Sequence, residues 1–179
     1  MGWAKHAWAR IRPQFRDAHL VIAGPDFENT LAPIQKLVAD LGIARSVTFT
    51  GMLKGDLKWS ALRAASIFTL PSHSEGFSVA ILEALASGLP VLATPGCNFP
   101  EIAEQGAGVV VRADEREVER ALADLLAHSQ AELRAMGEHG SDLISRRYTW
   151  PAIGNMMAEV YEWMLFGRAP GHVEIDFLR

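Results

Sequence analysis

Short apolar runs alternate with helical stretches along the chain, and this alternation constrains the fold more than any other feature. The runs are residues 20–23, 47–50, 67–70, 90–93 and 109–111, and Gly24, Gly51 and Pro71 stop the first three. Segments this short, rich in Val, Ile and Phe and bounded by Gly or Pro, read as strands. Those of residues 20–23 and 109–111 lack the in-out alternation of a half-solvated sheet, which points to strands covered on both faces. Between them the spacing becomes helical. Trp3, Ala7, Trp8, Ile11 and Phe15 predict an opening helix that ends near Pro13. Further helices are expected over 33–41, through Trp59 and Leu62, over 79–86, near Glu101, and over 115–127, 132–146 and 152–166. Right-handed crossovers turn this order into an α/β fold, a doubly wound parallel sheet of Rossmann-like type. Residues 1–166 form the expected domain and 167–179 an irregular tail.

Charge and cysteine content narrow the function classes. Seventeen Lys and Arg against 21 Asp and Glu give a net charge of −4, which leaves no footprint for nucleic acid. Cys97 is the single cysteine, so no internal disulfide forms, and a reducing cytoplasm suits the chain. No apolar run reaches the ~18 residues of a membrane span. The histidines lack metal-ligand spacing, and no metal site is expected. Gly106-Ala107-Gly108 precedes a strand instead of following one, which removes it as a dinucleotide fingerprint.

Doubly wound sheets bind ligands at the carboxyl ends of their strands. The loops at that edge are 24–26, 51–54, 71–77 and 94–100, all carrying Gly or Pro. In the third, Gly76 permits close backbone approach, and the following helix start offers unpaired amides and partial positive charge. Glu75 stands beside it, placed to accept hydrogen bonds from sugar hydroxyls. Glu83 interrupts the otherwise apolar helix 79–86, which predicts a buried helix. A carboxylate there needs a bonding partner. A ribose diol and a core Lys, Arg or backbone amide are equal candidates on spacing alone, as Glu75 is equally a loop carboxylate at a helix start.

Glu75 and Glu83, with Gly76-Phe77 after the first, resemble the paired-glutamate motif of family 4 (group 1) retaining glycosyltransferases of GT-B fold. Gly88, Pro90-Val91, Thr94, Pro100-Glu101-Ile102 and the Gly24-Pro25 turn are similar to the same family's sequence. The likeness covers residues 3–166 and implies the carboxyl-terminal, donor-binding half of a GT-B enzyme. By that resemblance Glu75 is the catalytic residue at the donor sugar. The amides of Gly76, Phe77 and Ser78 meet sugar hydroxyls or phosphate, Glu83 holds the ribose, and Leu53 and Lys58 contact the nucleobase edge. The co-substrate is a UDP-, GDP- or ADP-sugar, with no other cofactor, and transfer is metal-independent. The family's opening strand, its Arg- and Lys-bearing loop and the amino-terminal acceptor domain find no match here. A fragment is therefore expected, inactive alone and prone to self-association through its terminal helices. The intact enzyme is compatible with peripheral membrane association. A non-catalytic nucleotide-sugar module and another GT-B enzyme, such as an epimerase or phosphorylase, are the alternatives.

Overall fold

The computed structural model describes residues 3–26 and 29–167. Helix α1 spans Trp3–Ile11, β1 Leu20–Ala23, α2 Leu31–Asp40, β2 Val47–Gly51, α3 Gly55–Ala64 and β3 Phe68–Leu70. Then follow α4 Val79–Ala86, β4 Val91–Ala93, α5 Glu101–Glu104, β5 Gly108–Val110, α6 Glu115–Ala127, α7 Gln130–Arg147 and α8 Trp150–Phe166. Each expected strand appears within one residue of its predicted position. The long helices start where side chains cap them. Ser78 accepts from the Ile81 amide, Asp114 from those of Arg116 and Glu117, and Ser129 forms a capping box with Glu132. The opening helix stops two residues before Pro13. Residues 168–179, most of the expected tail, and the side chain of Trp3 lie outside the described residues.

All strand pairs are parallel, as expected, but the strands divide into two sheets. One holds β1 and β2; the other runs β3-β4-β5. Two apolar clusters cover the two faces. The first gathers Trp8 and Ile11 of α1, Val38, Val47, Leu92 of β4, and Val118, Leu122 and Leu125 of α6. It spans both sheets. The second packs Ile81, Ala84 and Leu85 of α4 on Val91 and Ala93, with Ile102 and Leu143. Gly137 lets α7 approach this layer closely, since a Cβ there would overlap the Gly88 carbonyl.

Two expectations need correction. Helix α4 is not buried all round: Ile81, Ala84 and Leu85 are, while Val79, Ala80 and Ala86 are exposed. Its apolar residues exceed what the core takes because its first turn looks out from the strand ends. Nor do both terminal helices expose apolar surface. Trp8 and Ile11 are core residues, with the Trp8 indole donating to Ser46 Oγ at 3.2 Å. Helix α8 has no buried residue, and Trp150, Met164, Leu165 and Phe166 are strongly exposed. Among the described residues no helix is long and apolar enough to cross a membrane.

Candidate donor site at the carboxyl ends of the strands

The loops after β3 and β4 are knitted together by backbone groups. Glu75 N–H donates to the Gly96 carbonyl at 2.7 Å, and the Asn98 side-chain amide donates to the carbonyls of Glu75 at 2.9 Å and Gly76 at 3.3 Å. Buried Thr94 donates through Oγ1 to the Ser72 carbonyl, and Cys97 Sγ donates to that of Leu70 at 3.1 Å. Gly96 is required by this approach, because a Cβ there would run into the His73 carbonyl. Asn98 sits at φ 52°, a left-handed conformation that Asn tolerates better than most residues. Glu75 is thus held through both its amide and its carbonyl, which fixes where its half-buried carboxylate starts.

The backbone after Glu75 leads straight into α4. Ser78 uses its hydroxyl on the Ile81 amide. Helix geometry leaves the remaining first-turn amides without intrahelical acceptors, at the positive end of the dipole. Around Gly76 the space is open, with no atom within 4 Å of where a Cβ would stand. An anchored carboxylate beside a free helix start suits a ligand that carries both hydroxyls and negative charge.

Phe77 contributes its ring elsewhere. It lies 5.8 Å from the Phe99 ring and 6.0 Å from Tyr148, and Phe99 and Tyr148 are 5.3 Å apart. The Tyr148 hydroxyl donates to Glu101 Oε1 at 3.0 Å. Burial first, and then that carboxylate, push its pKa up to about 12. The trio ties the α4 entry to α5 and to the end of α7 while the Phe77 residue stays exposed.

Glu83 stands one turn after Val79, on the same side of α4. Its Oε1 accepts from Lys58 Nζ of α3 at 2.5 Å, and that ammonium lies 4.9 Å from the Trp59 ring centroid. The core-lysine partner for Glu83 is therefore the one formed. With side-chain exposures of 33% for Lys58 and 22% for Glu83, the pair stays within reach of water. Leu53, half-buried, lies between β2 and α3. The structure brings Glu75 through Ser78 together and joins Lys58 to Glu83. Gly96 and Asn98, which hold Glu75, had one local signal, a Pro-Gly-Cys-Asn turn, with nothing in it to name the partner loop.

Comparison with known proteins identifies the family and the fold. The family model for glycosyl transferases group 1 matches residues 1–128. A MMP alpha-(1->4)-mannosyltransferase of Mycolicibacterium hassiacum is 33% identical over 160 residues, covering 88% of this chain and 38% of that protein. A GDP-mannose-dependent phosphatidylinositol monomannoside mannosyltransferase of Mycobacterium tuberculosis is 32% identical, over 83% of this chain and 40% of its own length. The chain thus spans about two fifths of these relatives. Among solved structures, the carboxyl-terminal domain of a group 1 glycosyl transferase from Francisella tularensis superposes with a TM-score of 0.73 at 25% identity, over 83% of this chain and 79% of that one. An Anabaena protein solved in complex with UDP gives 0.76 at 19% identity, over 89% and 44%. The fold is accordingly that of the carboxyl-terminal half of a GT-B glycosyltransferase, and the chain belongs to the group 1, family 4 type of glycosyl transferases.

Proposed function

We propose that this chain binds a nucleoside-diphosphate sugar across the start of α4 and, within a longer protein, supports its transfer to an acceptor with retention at the anomeric carbon. The observation that carries the reading is the clamp on Glu75 by Gly96 and Asn98, beside the open α4 amino terminus. Glu75 faces the reacting sugar, and the amides of Gly76, Phe77 and Ser78 take its hydroxyls or the phosphate. The developing charge of the leaving diphosphate is met by the helix end, without a metal ion. Glu83 offers its second carboxylate oxygen to the ribose. Lys58, held at Glu83, orients that carboxylate, so of the two residues assigned to the nucleobase edge Leu53 keeps the role. The relatives named for GDP-mannose make it the first donor to test, with UDP-hexoses second on the UDP-bound neighbour.

An acceptor domain supplies the other wall of the cleft, so the isolated chain carries out no transfer in this proposal. Its exposed α8 face is where association through a terminal helix would form. Sedimentation that found only monomer at high concentration would remove that part.

Titration of the full chain with GDP, UDP and ADP, followed by amide chemical shifts, tests the site. Perturbations are expected at 51–58 and 74–83, unchanged by EDTA. Perturbations confined elsewhere overturn the site, and sugar transfer by this chain alone overturns the need for a second domain. Glu83→Gln should weaken nucleotides while leaving free-sugar binding unchanged. Its effect on stability should stay within about 1 kcal/mol, the range for a partly solvated ion pair.

A further inference from the structure

We propose that α7 is a splint for α4 and that Tyr148, at its end, is a positioning residue for the donor cradle. Its ring fixes where the amides of Gly76, Phe77 and Ser78 stand. The inference rests on the donor reading of the α4 start. A helix of eight residues, such as α4, does not hold itself in water and takes its place from packing. Helix α7, with 18 residues and a capping box at its start, is the longer and better-capped of the two.

Three contacts set the two helices antiparallel in one register. A Cβ on Gly137 would overlap the Gly88 carbonyl just past the end of α4, and one on Gly140 would press on the Leu85 side chain. Just before the start of α4, the Phe77 ring stands 6.0 Å from that of Tyr148, the C-cap residue of α7. Three residues separate Gly88 from Leu85, as three separate Gly137 from Gly140. Eight separate Leu85 from Phe77, as eight separate Gly140 from Tyr148. Equal steps on both chains are what antiparallel helices of the same rise give when they lie side by side. The two ends differ in how they are held. At Gly88 backbone meets backbone, and no side chain sets the fit. At Phe77 the contact is made by rings, and the ring that α7 supplies is Tyr148.

Tyr148 also meets the second loop of the site. Its ring lies 5.3 Å from that of Phe99, and its hydroxyl donates to Glu101 Oε1 at 3.0 Å. Phe99 follows Asn98, whose side-chain amide holds the Glu75 carbonyl, and its ring lies 5.8 Å from Phe77. Phe99 is buried and Phe77 exposed, so the Phe77 ring is packed only on the side that Phe99 and Tyr148 provide. One side chain of α7 therefore braces both loops that build the cradle, and acts on the ligand through them. Without the Tyr148 ring, Phe77 would rest on Phe99 alone, and the amides after Glu75 would lose their fixed direction. Hydrogen-bond donors stabilise charge well only when they are held in place beforehand.

The test uses the full chain and three variants. Tyr148→Ala removes the ring, Tyr148→Phe keeps it, and Leu125→Ala opens a cavity in the other apolar cluster as a control for lost stability. Without nucleotide, Tyr148→Ala should speed exchange of the Glu75 amide, relative to that of Val91, at least about tenfold. Leu125→Ala should leave that ratio unchanged, and an equal change in both variants overturns the proposal. GDP and guanosine are then compared, or UDP and uridine if the chain binds those better. The nucleoside lacks the phosphates assigned to the α4 amides. Tyr148→Ala should therefore weaken the diphosphate at least about tenfold and the nucleoside less than about twofold, a split that lost stability alone does not produce. Tyr148→Phe should keep diphosphate affinity within about threefold of wild type. Equal loss of both ligands in Tyr148→Ala, or a loss in Tyr148→Phe as large as in Tyr148→Ala, overturns the positioning role. Should Tyr148→Ala not fold, Tyr148→Leu takes its place under the same expectations. If the wild-type chain binds neither ligand, the donor reading fails, and exchange of the Glu75 amide alone decides whether Tyr148 braces the loop.

Discussion

β1 and β4 have nearly the same composition, Leu-Val-Ile-Ala against Val-Leu-Ala, and the fold treats them differently. All three residues of β4 are fully buried, whereas β1 alternates between half-buried and exposed. Composition is not the cause. β4 has a partner strand on each edge and helices on each face, with α4 and α7 above it and α1 and α6 below. Among the described residues β1 has one partner strand, and its Val21 face lacks a cover. An apolar strand becomes core only when its neighbours supply both edges and both faces, so the β3-β4-β5 side is expected to hold the stability and the β1-β2 side to yield first.

Truncation in the two strands should separate them most. Leu92→Ala is expected to cost about 3 kcal/mol, since a fully buried leucine leaves a cavity that a close-packed core cannot collapse. Val21→Ala should cost less than about 0.5 kcal/mol, as for an exposed position. Denaturant midpoints read both. Equal losses would mean that β1 is covered in solution, and the contrast would be gone.

A smaller effect distinguishes α7 from α8. Gly137 meets the Gly88 backbone, so Gly137→Ala must push the two segments apart, at about 2 kcal/mol for overpacking. Gly154 of α8 has nothing within 4 Å, and Gly154→Ala should instead stabilise by about 0.5–1 kcal/mol through helix propensity. If thermal unfolding shows Gly154→Ala to be destabilising, α8 is packed against something that its exposure does not reveal.

Sequence legibility divides along a similar line. Strand positions, the parallel α/β class, the α6 boundaries and the Glu75-to-Ser78 helix start were all readable, because periodicity, caps and Gly or Pro breaks are local signals. The paired glutamates drew attention for a sound reason, a carboxylate on an apolar helix, but spacing could not choose its partner. Lys58 lies 25 residues away and Asn98 is 23 residues from Glu75, and such meetings depend on how several loops close. The break between the sheets was equally invisible, since β1 and β3 are each good strands taken singly. The Phe77 ring was equally illegible: its contacts with Phe99 and Tyr148 join residues far apart in the chain, while the motif spoke only for its backbone amide.

The smallest expected effect concerns that aromatic trio and pH. Tyr148 holds its proton to about pH 12 in the folded chain because its ring is partly buried and its hydroxyl bonds to Glu101. Unfolded, it releases the proton near the ordinary tyrosine value of about 10. Between these values the unfolded state binds fewer protons than the native one, so stability falls as pH rises. The contribution is complete below about pH 10 and is lost towards pH 12. Partial exposure of the side chain screens it to a fraction of the full linkage value. The exposed pairing of Arg10 of α1 with Glu115 and Glu119 of α6 contributes nothing here, because it raises an arginine that is already charged throughout. Tyr148→Phe should therefore flatten part of the fall in melting temperature between about pH 10 and 12 and leave the curve below pH 9 in shape unchanged. Amide exchange should place that difference in β3 to β5. Identical high-pH curves for the two proteins would show that the Tyr148 contact with Glu101 carries no protonation-linked stability, and that high pH does not distinguish the two sheets.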